Sequence, residues 1–269
     1  MLDLQDVSLQ YRGRLVLSPL SLTIRAGEFT VVIGPNGAGK SSLLKLMTGE
    51  MEPASGSVRL DGENLARMAP ERLARRRAVL PQGSSLAFPF TVAEVVSFGL
   101  EAAGRARDPA AIRGALARVD LASFGARFYG ELSGGEQQRV HLARVLCQIG
   151  APVRHGKPAL LFLDEPVSSL DIRHQLAVLG LARDFARGGG AVVAVLHDLN
   201  LAAGYADRLI ALSLGQIAAD GPPAAILTDA LVEEVFGVRL PVGATPFPPQ
   251  PFVLPQTAAP LSRTSEWIH

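Results

Sequence analysis

The sequence has 269 residues, 48% of them apolar, enough for one large domain or two small ones around a sizeable core. Its 26 basic and 25 acidic residues leave a formal charge of +1, without the strongly basic balance expected of a bulk nucleic-acid binder. The single cysteine, Cys147, excludes an internal disulfide framework and fits a reducing compartment.

The N-terminal residues Met1 to Asp6 are acidic and carry no long apolar stretch, so no signal peptide is expected. No window holds about 18 uninterrupted apolar residues, so no membrane span is expected and any membrane attachment must come through a partner. Leu2, Leu4, Val7 and Leu9 alternate as in a half-buried strand. Phe29 to Ile33 is a short β-rich run that stops at Gly34. A helix is expected from about Lys40 to Thr48, ended by Gly49. Val58 to Leu60, followed by Asp61-Gly62, reads as strand and turn. From about residue 83 to 145 the chain is rich in Ala, Arg and Leu, which predicts an inserted helical subdomain. A helix over Gly134–Ile149, a buried strand over Leu160–Leu163, a helix over Ile172–Arg187 and a strand over Ala191–Leu196 follow. Strands alternating with helices predict an α/β fold with a parallel sheet covered on both faces. Leu209–Leu212 and Gln216–Ala219 read as a hairpin turning at Leu214-Gly215. The chain thus divides into a domain over residues 1–240 and a proline-rich tail over 241–269, expected to be extended or loosely ordered. Cys147 falls among Val140, Ala143 and Leu146, where a buried thiol is ordinary core.

Gly34-Pro35-Asn36-Gly37-Ala38-Gly39-Lys40-Ser41 fits G-x-x-x-x-G-K-[ST], with a strand before it and a helix after it. The glycines let backbone N–H groups face phosphate oxygens, and the helix start adds positive potential. Lys40 supplies a charge to the β- and γ-phosphates and Ser41 a hydroxyl to Mg²⁺, with Ser42 beside it. The motif predicts nucleotide binding and leaves the use of the energy open, since kinases, GTPases and motors share it.

Asp164 and Glu165 end the apolar run Leu160–Leu163, at the strand end where ligands of parallel sheets bind. Asp164 is placed to hold Mg²⁺ and Glu165 to polarise attacking water. His197 ends a second buried strand, where it can reach a γ-phosphate. Gln82 follows the strand Ala78-Val79-Leu80 and can touch Mg²⁺ or water. The basic run Arg72, Arg75, Arg76, Arg77 reads as a solvated helix face.

Leu132-Ser133-Gly134-Gly135-Glu136-Gln137-Gln138-Arg139 closely resembles the signature motif of ABC ATPases. The remaining motifs stand in that family's order: Tyr11, the phosphate loop, Gln82, the signature, Asp164-Glu165, Ser169-Leu170-Asp171 and His197. The resemblance covers about residues 1–240. It implies a P-loop NTPase core with an N-terminal antiparallel β-subdomain and an inserted α-helical subdomain. It implies that Tyr11 stacks on adenine and that Asp171 belongs to the D-loop. It also implies that Ser133, Gly134, Gly135 and Glu136 contact the γ-phosphate bound by a second copy, so that a homodimer hydrolyses ATP with Mg²⁺. A helix start suits that anion.

His197-Asp198-Leu199-Asn200-Leu201-Ala202 resembles the importers of iron–siderophores, cobalamin and haem. The segments Leu80–Val92 and Ala151–Pro158 resemble the haem-importer ATPases within that group. The resemblance implies a peripheral subunit on the cytoplasmic face of the inner membrane, bound to two copies of a permease and, through it, to a periplasmic haem-binding protein. A nucleic-acid partner is not expected. Phe88, Pro89 and Phe90 are candidates either for the permease-docking groove or for packing of the helical subdomain. His155 is expected to be a solvated loop residue. A siderophore or cobalamin importer, a soluble ABC ATPase not coupled to transport, and a small-molecule kinase are the alternatives. The signature speaks against the kinase, which has no use for a phosphate contact made in trans.

Overall fold

The computed structural model describes residues 1–83 and 88–258. The described chain forms two compact units, one of residues 1–66 and 193–258, the other of Arg67–Val192.

In the first unit, β1 (Leu2–Tyr11) and β2 (Arg14–Ile24) form a hairpin. Its turn residues Arg12 and Gly13 have φ of 50° and 76°. Two successive positive φ values match the twist of tight hairpins, and Gly13 adopts its value without strain. β2 carries no local signal in the sequence, since its turn lacks the usual Asn-Gly or Asp-Gly pair. The fully buried β3 (Phe29–Ile33) leads through the glycine loop into α1 (Lys40–Thr48), which Gly49 ends at φ 73°. β4 (Ser55–Leu60) and β5 (Glu63–Asn64) complete an antiparallel sheet of order β2-β1-β4-β5.

In the second unit, α2 (Pro70–Ala74) precedes β6 (Arg77–Leu80). The basic run is therefore not a helix face. Only Arg72 and Arg75 are exposed, while Arg75 Nε donates to Ala103 O and Arg76 to Pro158 O. α3 (Val92–Ala102), α4 (Pro109–Arg118) and α5 (Gly134–Ile149) follow. α3 packs against α5 at Gly99, where a Cβ would lie 2.0 Å from Arg144 O. β7 (Val153–Arg154) and β8 (Lys157–Pro158) form a small hairpin whose tip is His155-Gly156, at φ 50° and 72°. His155 is exposed at that tip. β9 (Leu160–Asp164) runs parallel to β6, pairing Leu80 with Leu163, and α6 (Ile172–Arg187) follows it. Cys147 is buried on α5 with its thiol toward Ala111 O, and burial pushes its pKa up to about 11.

β10 (Ala191–Val195) carries the chain back to the first unit. There follow α7 (Leu199–Tyr205), β11 (Arg208–Ser213), β12 (Gln216–Gly221), α8 (Pro223–Ile226) and α9 (Asp229–Phe236). β11 runs parallel to β3 and antiparallel to β12, turning at Leu214-Gly215. The protein is thus α/β, combining an antiparallel sheet with the parallel pairs β3–β11 and β6–β9. The tail ends its described part in a 3₁₀ turn over Pro255–Thr257. Gln256 lies against Gly204 of α7, where a Cβ would approach Gln256 Cβ to 2.4 Å. So this end of the tail is packed rather than merely extended. Pro260 and the stretch Ser84–Ala87 of the haem-importer-like segment lie outside the described residues. Among the described residues no helix is long and apolar enough to cross a membrane.

Candidate active site

The predicted residues fall into two groups, one on each unit. In the first unit, β3 delivers the chain to Gly34, and the loop Gly34–Gly39 opens into α1. Gly34 has φ 149° and sits so close to β11 that a Cβ would meet Leu212 O at 2.1 Å. A Cβ on Gly39 (φ 100°) would meet Leu17 Cδ2 at 2.7 Å. Only glycine fits these two positions, so the backbone is held down against β2 and β11. The Gly215 N–H donates to Ala38 O at 3.1 Å and ties the loop to the β11–β12 turn.

Gly39 is the N-cap of α1 and offers no side-chain acceptor to the helix's first N–H groups. Such a helix start, with its positive potential, suits an anion. Lys40 is 5% exposed and arches over the loop, donating from Nζ to Gly34 O and Pro35 O at 2.9 Å each. Its charge is thereby held at the mouth of the cradle. Ser41 and Ser42 are half-buried in the first helical turn.

His197 is exposed just past β10, and the neighbouring Leu196 N–H donates to Val32 O of β3 at 3.3 Å. The structure thus sets His197 beside the strand that feeds the phosphate loop. Asp198 then caps α7, accepting from the N–H groups of Asn200 and Leu201. Tyr11 stands at the end of β1, 57% exposed, with the Arg12 guanidinium 5.5 Å from its ring centroid.

In the second unit, parallel pairing brings the ends of β6 and β9 to one edge, and with them Gln82, Asp164 and Glu165. Asp164 is 8% exposed, whereas Gln82 is exposed. Glu165 is half-buried and has φ 50°, an uncommon backbone for a residue with a Cβ.

Ser133 caps α5 in a capping box. Glu136 N donates to Ser133 Oγ, while Ser133 N and Oγ donate to Glu136 Oε2 at 2.8 and 2.7 Å. The Ser133 hydroxyl and backbone N–H hold the Glu136 carboxyl below its ordinary pKa. A carboxylate of the chain itself therefore occupies the helix start that the sequence suggested for an external anion. The N–H groups of Gly134 and Gly135 remain in the first turn, where no intrahelical acceptor exists. Asp171 caps α6, accepting from His174 N and Nδ1. The His174 backbone N–H is the main cause of its lowered pKa.

A cavity of about 120 Å³ collects Gln82, Gly134, Gln138, His141, Tyr129 and Ser169. In the sequence Gln138 belongs to the signature run and Ser169 to the motif with Asp171, whereas Tyr129 and His141 belong to neither. The cue was helical spacing: Gly134, Gln138 and His141 stand at i, i+4 and i+7 on one face of α5. Tyr129 Oη and His141 Nε2 are 2.9 Å apart and both side chains are buried. Burial, and secondarily Arg144, lowers the His141 pKa to about 4.

A protein-family model described as ABC transporter matches residues 17–168. The hemin import ATP-binding protein HmuV of Mesorhizobium japonicum is 52% identical over 263 residues, covering 96% of this chain and 99% of the relative. The protein of the same name from Rhizobium meliloti is also 52% identical, over 265 residues, with the same coverage. A solved ATP-binding subunit of an ABC transporter superposes with a TM-score of 0.74 at 27% identity, covering 91% of this chain and 95% of that one. The chain therefore belongs to the ABC transporter family.

Proposed function

We propose that this chain is the ATP-binding and hydrolysing subunit of a haem (hemin) importer. The observation that carries the reading is identity over nearly the full length of proteins named hemin import ATP-binding protein. The geometry supports the motor half of it. The cradle fits phosphate, because Gly34 and Gly39 are shaped for close backbone approach and α1 has no internal cap. Lys40 would exchange its loop carbonyls for the β- and γ-phosphates, with Asn36, Gly37 and Ala38 lending backbone to the cradle. Tyr11 offers an exposed ring for adenine.

Mg²⁺ would be held by the hard oxygen donors of Ser41, Gln82 and Asp164, which fit that ion. When bound, it neutralises charge on the phosphates. Glu165 would polarise the attacking water and His197 would orient the γ-phosphate. A second copy would lend its Ser133, Gly134, Gly135 and Glu136 in trans, so the working form is a homodimer. Capture of ATP favours the closed pair and hydrolysis releases it, a ligand shifting a two-state equilibrium.

The importer would contain two copies of a membrane permease, served by a periplasmic haem-binding protein, with this chain on the cytoplasmic face of the inner membrane. Phe90 packs edge-on against Phe98 with centroids 5.0 Å apart, whereas Phe88 is 70% exposed. Phe88 and the exposed Pro89 are therefore the better candidates for the permease surface, and Phe90 for packing.

The test is Glu165→Gln. It should bind Mg-ATP, accumulate as an ATP-bound dimer on size exclusion and lose turnover by about a hundredfold or more. Undiminished turnover would refute the assignment of the base.

A further inference from the structure

The α5 residue Gln138 touches both Glu165 and the segment after it. Its Nε2 donates to the Glu165 carbonyl at 3.1 Å, while its Oε1 accepts from the Ser169 hydroxyl. The same carbonyl accepts from Ser168 Oγ at 3.2 Å and from Ser168 N at 3.4 Å. A second glutamine, Gln175 of α6, donates to Val167 O and Leu170 O.

The segment from Glu165 to Leu170 is thus held by side-chain amides from two helices. It needs holding, because Glu165 sits at φ 50°, a backbone that residues with a Cβ keep only where their surroundings impose it. The Glu165 side chain leaves the chain in a direction fixed by that backbone, so whatever sets the peptide sets the carboxylate. The bond from Gln138 arises one helical turn after Gly134, whose residue lines the same cavity as Gln82 and Ser169. A rotation or shift of the α5 start is therefore carried to the Glu165 peptide by the Gln138 side chain.

We propose that Gln138 is a positioning residue for Glu165, aligning its carboxylate for hydrolysis and linking it to the start of the signature helix and to Ser169. This rests on the reading of Glu165 as the group that polarises water. Gln138 itself touches neither nucleotide nor water in this role. Its loss should slow the chemical step and leave nucleotide binding in place. Misalignment of a catalytic group by about 1 Å costs up to a hundredfold in rate.

The experiment compares Gln138→Ala, Gln138→Glu, Ser169→Ala and the double variant Gln138→Ala/Ser169→Ala with the parent and Glu165→Gln. The full-length chain is used at concentrations that let it dimerise. Gln138→Glu keeps the length of the side chain and its acceptor for Ser169 but loses the donor to Glu165, and it serves should the alanine variant fold poorly. Both Gln138 variants should lower kcat about ten- to a hundredfold with KM for ATP within about twofold. The double variant should be no slower than Gln138→Ala alone, because the hydroxyl acts through the amide. Adding Gln138→Ala to Glu165→Gln should leave the ATP-bound dimer intact.

A kcat within twofold of the parent in both Gln138 variants would overturn the inference. So would a raised KM at unchanged kcat, or losses that multiply in the double variant. Turnover surviving in Glu165→Gln would overturn the base assignment and this inference together. Turnover lost there but intact in Gln138→Ala would overturn the inference alone.

Discussion

Burial and the nearby Arg144 guanidinium keep His141 neutral, with a pKa pulled from 6.5 to about 4. In the unfolded chain the same imidazole takes its proton near pH 6.5. Between these values the unfolded state binds more protons than the folded state, so stability falls as pH falls. The loss begins near pH 6.5 and levels off below about pH 4, once both states are protonated. Integrated from pH 7 to pH 4 it amounts to about 3 kcal/mol. His141 meets the buried Tyr129 hydroxyl and lines the cavity that holds Gln82 and Gly134, so the second unit should loosen first. Urea unfolding followed by far-UV circular dichroism, run at pH 7, 5.5 and 4.5 on the parent and on His141→Gln, reads this directly. Other groups titrate in both proteins, and the difference between the two curves isolates His141. The parent should lose the larger share of its stability, by about 2–3 kcal/mol at the lowest pH. Parallel curves would refute the picture of a histidine buried neutral.

Gly99→Ala should force α3 from α5, since its methyl would start 2.0 Å from Arg144 O. A stability loss of about 1–3 kcal/mol or more is expected by calorimetry, and an unchanged melting point would count against the close approach. Gly34→Ala should weaken nucleotide binding at least tenfold in a fluorescent-nucleotide titration, because its Cβ would collide with Leu212 O. Ser133→Ala removes the hydroxyl of the α5 capping box and should cost about 1 kcal/mol in stability. The same variant should abolish hydrolysis while the monomer's ATP affinity survives. A collapse of that affinity would contradict the contact in trans.

Much of this was legible in the residues. The helices Lys40–Thr48, Gly134–Ile149 and Ile172–Arg187 were readable because each has a clear start, an apolar period and a glycine at or near its end. The phosphate loop is a local motif, and local motifs survive in sequence. β2 was missed because Arg12 occupies a turn position that ordinarily advertises itself as Asn or Asp. The hairpin over Val153–Pro158 is only two residues per strand, too short for a period to show. The helix start at Ser133 was legible, but its occupation by Glu136 was visible only as spacing. Gln138 and Ser169 lie in motifs legible in the sequence, but their contacts with each other and with Glu165, like the Tyr129–His141 pair, arise only on folding. A glutamine on a polar helix face gives no sign of the carbonyl it will meet.

The proposed motor couples ATP hydrolysis to the movement of haem through a partner permease. Vesicles holding the permease, with this chain and Mg-ATP on one side and haem with its binding protein on the other, test it most directly. Haem should accumulate on the ATP side with the parent chain and fail to accumulate with Glu165→Gln. ATP hydrolysis without haem movement, in vesicles that take up a siderophore or cobalamin instead, would contradict the cargo while leaving the motor.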